Sequence, residues 1–594
     1  MTDSVRESIY EAIASIRLID PHTHINPHSP ASNTLADLLG YHYYTELAHS
    51  AGMPKNQIEE DGIPHRELVR RLVANLSPIE NTAQYRWLIE ICRNFFGFTG
   101  DRLDESNWED VYDAAERQMS LAEWPQMLLD QSNVEAVFLT NDFDDDLAGF
   151  DTDTYIPCLR TDDLVFHLAK PQTRQRLEAC SQIALDGSLT SLRESLRQRF
   201  THFVGRGARA CAISLPPTFE PTRVSDGRAS TAWNDVLQHG PNAAPSQMNA
   251  ISRSVFWTLA ELCDEFGLPF DLMIGVNRGV YADGVFQGQD LYDSRVSLIQ
   301  YRELFNAFPQ VKFPVSVLAS VTNQELVSYA WIFPNVITNG HWWYSNTPSF
   351  IARDAAARLE AVPQTKQIAY YSDAYKLEFV WPKFDMYRHV LSGILADHFV
   401  GGNGWSEERA IELGRQVLRD NVDEIFPRPQ MPASNAGAVD TRDGESSFST
   451  VIEETATAAD SWTLQGSDEE LATSETVTLE TVITDEAFEE LDPLPSQDEI
   501  QSANVDDVQL SSGSAETSAT DAESLESAID AEPLDVGDVT GEEDAEGPEI
   551  RMLRGEGSFE PDEDSLQVRP DPVTGELKFP VADDEDPNST QSGE

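Results

Sequence analysis

The stretch IRLIDPHTH, residues 16–24, decides the reading of this chain. Its first half, Ile16 to Asp20, is a short, largely apolar run of the length a buried strand needs. His22 and His24 follow two residues apart, and on extended backbone side chains at i and i+2 point to the same face. Both imidazoles can then enter one metal ion's coordination shell from the end of a strand. An HxH pair alone is a weak signal. Its weight comes from its position after Asp20, at the end of the first strand of a long alternating pattern.

That pattern continues through VEAVFLT (134–140), YIPCLR (155–160), ARACAISL (208–215), PFDLMIG (269–275), VKFPVSVLA (311–319), NVITNG (335–340) and QIAYYSD (367–373). Several are nearly continuous apolar runs, as expected for parallel strands covered on both faces. Between them lie amphipathic stretches such as SRSVFWTLAELCDEF and SRVSLIQYRELFNAF, with apolar residues at helical spacing. Strand–helix alternation predicts a parallel α/β fold, and eight units predict a closed (β/α)8 TIM-type barrel. Residues 33–130 form a helical insertion after the first strand, which in such a barrel sits over the catalytic face. The stretch SEERAIELGRQVLRDNVDEIF is expected to close the barrel.

Composition separates this unit from the C-terminal part of the chain. The 594 residues carry 102 acidic and 41 basic side chains, a formal net charge of −61. From residue 430 onward there are 45 acids and 5 bases, a net of −40, and no histidine or cysteine. So acidic a segment with few aromatics cannot bury enough apolar surface to offset its ordering entropy. The expected division is a barrel over residues 1–429 and a disordered acidic tail over 430–594. The tail is read as a solvating appendage, with a basic partner as the alternative. No basic stripe exists to neutralise phosphates, which excludes nucleic acid as a partner. Cys92, Cys158, Cys180, Cys211 and Cys263 are odd in number, widely spaced and without a CxxC pair, so they are expected to be reduced. The absence of an apolar leader and of any run of transmembrane length predicts a cytoplasmic protein without membrane contact.

A closed barrel makes its first and last strands neighbours. Asp373, at the end of the eighth strand in YYSDAY, is therefore the expected partner of His22 and His24, despite its distance in sequence. Two histidines, a carboxylate and water make an open site for one divalent ion, zinc or alternatively manganese.

These motifs together resemble the uronate (glucuronate) isomerases of the amidohydrolase superfamily, which convert hexuronic acids such as glucuronate to ketoses such as fructuronate. The resemblance runs along most of residues 16–427. It is carried by Asp20 to His24, by His42-Tyr43 before a helix, by TAQYRWLIEICRNFFG and TNDFDDDL, by Arg160 and Arg278 after strands, by Trp342-Trp343, and by Asp373. The chain departs from the family at Met273, where members commonly show histidine, and at Tyr375, where they carry arginine. The resemblance implies a metal-dependent aldose–ketose isomerase acting on a small uronate. Asp373, or a water it positions, would be the base, and His42 and Tyr43 would handle the second proton. Arg160 and Arg278 would hold the substrate carboxylate through planar guanidinium forks. Trp342, Trp343 and Tyr375 would complete the pocket wall. His28, His49, His65, His341, His389 and His398 are expected to be structural. The departures keep open a divergent hydrolase or decarboxylase acting on a small carboxylated substrate. A role for the barrel as a non-enzymatic scaffold, the oligomeric state and the partner of the tail are also left open.

Overall fold

The computed structural model describes residues 2–428. The acidic tail expected over 430–594, and the boundary expected at 429, lie outside these residues. The strands are β1 (Leu18–Asp20), β2 (Val134–Phe138), β3 (Tyr155–Ile156), β4 (Cys158–Arg160), β5 (Ala210–Leu215), β6 (Phe270–Ile274), β7 (Val276–Asn277), β8 (Leu291–Tyr292), β9 (Phe313–Val317), β10 (Val336–Asn339) and β11 (Gln367–Ile368). The run at 155–160, read as one strand, is split by Pro157, which has no N–H to give to a ladder. β3 pairs with β2, and β4 with β5.

Strand order closes a ring. One sheet runs β1-β2-β3 and the other β4-β5-β6-β9-β10-β11, all pairs within them parallel. Backbone bonds join the two at one seam, where Asn141 N donates to Cys158 O at 3.0 Å and Arg160 N donates to Asn141 O at 3.0 Å. At the other seam Asp373 N donates to His22 O at 3.1 Å, and His24 N donates to Ala374 O at 2.8 Å. The eight expected strand positions therefore make a TIM-type barrel. β7 and β8 are an antiparallel pair that follows β6 as an excursion at the barrel mouth.

Alternation along each strand sorts side chains into two environments. In β5, Ala210 and Ala212 face the barrel interior with Ile19, Phe138, Ile156 and Ile337, whereas Cys211, Ile213 and Leu215 face the surrounding helices. The short helix Asn421–Ile425 supplies Val422 and Ile425, and with Phe426 they join the interior cluster and plug it. Arg209 holds this plug, its Nη2 2.9 Å from Asp423 Oδ1. The C-terminal stretch thus closes the barrel, as its apolar pattern predicts.

Between β1 and β2 the chain is helical. Its longest helix there, Ala83–Phe96, begins where the Thr82 hydroxyl accepts from Tyr85 N at 3.2 Å, and it ends at Gly97 with φ 71°. These are the cap residues such positions favour. Trp87, Leu88, Ile91, Cys92 and Phe95 form its buried face, each large apolar side chain stabilising the fold by roughly 1.5–3 kcal/mol. The stretch at 294–308 is less helical than its periodicity suggests, with a 3-10 turn at Leu298–Tyr301 leading to a helix only over Arg302–Ala307. Asp293 takes the backbone N–H of Arg295 at 2.9 Å, so a local side-chain bond competes with the helix ladder. No helix among the described residues is long and apolar enough to cross a membrane.

Candidate functional site

The closing seam brings the end of β1 alongside residues 373–374, and this places three side chains together at the barrel mouth. His24 Nε2 lies 3.2 Å from Asp373 Oδ1, and His22 Nε2 lies 3.6 Å from the same oxygen. One ligand atom from each of the three residues falls within 4.8 Å of the others. His22 and Asp373 are buried and His24 is partly exposed. His22 Nε2 and Asp373 Oδ1 have no hydrogen-bond partner, although leaving a buried polar atom unsatisfied costs about 1–3 kcal/mol. Asp373 is also a non-glycine residue at φ +54°, in a left-handed conformation costing of order 1–3 kcal/mol. Two imidazole nitrogens and one carboxylate oxygen, two of them otherwise unsatisfied, fit a divalent cation with open coordination positions.

Burial and neighbouring charges shift the three groups in different directions. Burial disfavours protonated His22, but the carboxylates of Asp271 and Asp373 outweigh it and raise its pKa. Burial dominates at His24 and lowers its pKa, in spite of Asp373. At Asp373 burial raises the pKa, but His24 and His22 outweigh it and hold the carboxyl below its ordinary range. His24 Nδ1 is 2.8 Å from Thr140 Oγ1, and that hydroxyl donates to Thr23 O at 3.2 Å. The network assigns the His24 proton to Nδ1 and leaves the Nε2 lone pair facing Asp373.

A cleft opens over this trio. His42, from the helix His42–Ser50, lines it, and its Nδ1 is 2.6 Å from Glu46 Oε1 one turn later. Arg160 and Arg278 also line it, each beside an acid. Arg160 Nε donates to Asp162 Oδ2 at 3.2 Å, and Arg278 Nη1 donates to Asp290 Oδ2 at 2.6 Å. The Asp162 charge is the main reason the pKa of Arg160 is raised. Trp342, Trp343 and Tyr375 form much of the wall, Trp343 with φ 38°. The ring of Tyr375 stacks on His24 at 4.7 Å, and burial pushes its hydroxyl pKa up to about 12, so it stays a neutral donor. Met273 lines the cleft as well.

Tyr43 does not join this group. Its ring packs into the core behind His42, 5.9 Å from the Trp87 ring and beneath Lys383 Nζ at 4.8 Å. Successive helical residues point about 100° apart, so a helix that aims residue 42 at the cleft aims residue 43 elsewhere. Sequence reading quoted Thr140 only within VEAVFLT and TNDFDDDL, without a role, and passed over Asp162, Asp271 and Asp290 as site residues. A visible signal existed for Asp271 alone, an acid inside the otherwise apolar run PFDLMIG. A second cleft, lined by Arg206, Arg209 and Arg428 among others, lies beside residues that precede β3 and β5 and contains no histidine.

Comparison with known proteins gives a consistent result. The family model described as glucuronate isomerase matches residues 1–425. The uronate isomerase of Cutibacterium acnes is 21% identical over 459 residues, covering 70% of this chain and 94% of its own. That of Thermotoga maritima is 22% identical over 463 residues, covering 72% and 98%. Among solved structures, the uronate isomerase of Thermotoga maritima superimposes with a TM-score of 0.66 at 19% identity, over 71% of this chain and 97% of the other. The glucuronate isomerase of Caulobacter crescentus does so with 0.66 at 20% identity, over 73% and 95%. At these identities the structural likeness speaks for the fold.

Proposed function

The chain belongs to the glucuronate isomerase family and is an isomerase of uronates, and on that footing we propose how its residues divide the reaction. The substrate is a hexuronate aldose of the D-glucuronate type and the product the corresponding ketose. His22, His24 and Asp373 would hold one divalent ion, zinc in preference to manganese for its affinity for imidazole. Such an ion supplies charge stabilisation to the substrate oxygens that become anionic in an enediol. The observation that carries this reading is the convergence of two buried, unsatisfied ligand atoms, His22 Nε2 and Asp373 Oδ1, beside His24 Nε2.

Moving a proton between adjacent carbons needs a base at the carbon and an acid at the carbonyl oxygen. Asp373, ionised at neutral pH and at the floor of the cleft, is the base, directly or through a water it orients. His42 exchanges the second proton through Nε2, because Glu46 occupies its Nδ1 side. Arg160 and Arg278 orient the substrate carboxylate, sharing their forks with Asp162 and Asp290. Tyr375 donates a hydrogen bond to the substrate where the family commonly has an arginine. Trp342 and Trp343 exclude water from one side. Tyr43 has no proton-transfer role in this scheme and supports the His42 helix from behind.

The five cysteines are free and four are buried, which suits a reducing compartment, and the cytoplasm is the proposed location. The folded unit is proposed to end near residue 429, so removal of 430–594 should leave turnover unchanged. The test of function is incubation of metal-loaded protein with glucuronate or galacturonate in D₂O, followed by NMR. Conversion to a ketose, with any deuterium at the carbon that exchanges, supports the scheme. Tightly bound metal with neither acid converted would instead favour a divergent hydrolase or decarboxylase.

A further inference from the structure

A carboxylate lies behind one of the two histidines and takes no part in the scheme above. Asp271 is the second residue of β6, buried, with Phe270, Leu272, Met273 and Ile274 around it in sequence. Packing alone gives no reason for it, since burying a carboxylate costs several kcal/mol unless other groups compensate. Two do. Asn339, itself buried on β10, donates from Nδ2 to Asp271 Oδ1 at 3.0 Å. On the other side Asp271 Oδ2 faces His22 Nδ1 at 3.8 Å, an ion-pair spacing. That ring edge is opposite the Nε2 that points at Asp373. Asp271 is buried and does not line the cleft.

We infer that Asp271, held by Asn339, is a positioning residue that fixes the orientation and tautomer of His22 for metal binding. A carboxylate on the Nδ1 side keeps the proton there and leaves the Nε2 lone pair free to coordinate. His24 is supported differently, by the neutral hydroxyl of Thr140. The two histidines are thus unequal ligands, one backed by a charge and one by a dipole. This inference rests on the metal reading of the site.

The test measures Zn²⁺ affinity of the full-length chain by competition with a chromophoric chelator. Asp271→Asn preserves shape and removes the charge, and it should weaken Zn²⁺ binding about 10–100-fold. Its metal-free form should melt no lower than wild type, and excess Zn²⁺ should return kcat toward the wild-type value. A merely structural role would not show this recovery. Asn339→Ala, which leaves the carboxylate but removes its support, should weaken binding by a smaller factor, and it serves if Asp271→Asn does not fold. Zn²⁺ affinity within twofold of wild type in both variants overturns the inference. Wild-type protein that takes up no Zn²⁺ overturns the metal reading and this inference with it.

Discussion

At its lower end the barrel is filled by Val422, Ile425 and Phe426 packed against Ile19, Ala136, Phe138 and Ala210, whereas toward the mouth the interior of the same cylinder carries His22, Asp271, Asn339 and Asp373. The lower end has apolar contacts and a buried arginine, Arg209, that binds Asp423 and the Phe426 carbonyl. The mouth has buried polar atoms without partners at His22, Asn339 and Asp373. Three non-glycine residues there, Gln287, Trp343 and Asp373, take left-handed backbone. One end is where the fold carries stability, and the other is where it gives stability up. Local strain and unpaired polar atoms persist only where a rigid scaffold over-determines them, and ligand-ready groups are what that tolerance leaves at the mouth.

If this contrast holds, mutations at the two ends should have separable effects. The largest is expected for Asp373→Asn, which keeps the volume and removes the carboxylate. Turnover should fall by about 10²–10⁴-fold, the usual range for loss of a general base, with the melting temperature unchanged or higher. Steady-state kinetics beside a thermal melt would show it, and a stability loss with intact turnover would erase the contrast. Next comes Phe426→Ala at the plug, expected to destabilise by about 3–5 kcal/mol while kcat per folded molecule stays at the wild-type value. Urea unfolding with active-site titration checks this.

Lys383 tests the mouth through pH. Its ammonium is fully buried and donates to Ser372 O at 2.7 Å, and burial lowers its pKa from 10.5 to about 8. Between those values the unfolded chain binds the proton that the folded chain has released, so stability rises as pH increases through the window. The rise should be about 3 kcal/mol in size, and Lys383→Met should flatten it. Unfolding curves across that range that superimpose for the two proteins would refute the claim. A smaller effect is expected from Arg278→Ala, about a tenfold rise in KM with little change in kcat, as for one lost charge-assisted bond. The smallest change in stability is expected for Asp373→Gly, where relief of the left-handed backbone is offset by the entropy glycine loses on folding, so a thermal melt of the metal-free protein should shift by no more than about 1 kcal/mol.

Much of this was legible in the chain. Eight apolar runs separated by helical stretches imply the barrel, because parallel strands covered on both faces need such runs. Ring closure, an inference about topology, then places Asp373 beside His22 and His24 across some 350 residues of sequence, and the structure brings the three together. What was hidden depends on side-chain direction and local competition. Tyr43 sits next to His42 in sequence and is turned away by one helical step. The acids that pair with Arg160 and Arg278 come from a following turn and from β8's flank, and no periodicity marks them. Pro157 was visible inside YIPCLR, yet its consequence, a strand that changes partner midway, needed the sheet around it. Asp271 was the one informative anomaly, a charge in a core strand whose use became apparent only with His22 opposite.

The most direct measurement is a metal titration of activity. Protein stripped by a chelator and dialysed would be assayed with glucuronate as Zn²⁺ or Mn²⁺ is added in increments, beside His22→Ala. Turnover is expected to be absent at the start, to rise linearly and to level off at one equivalent per chain, with the variant inactive throughout. Undiminished conversion by the stripped protein, or by His22→Ala, would contradict a metal-dependent isomerase centred on His22, His24 and Asp373.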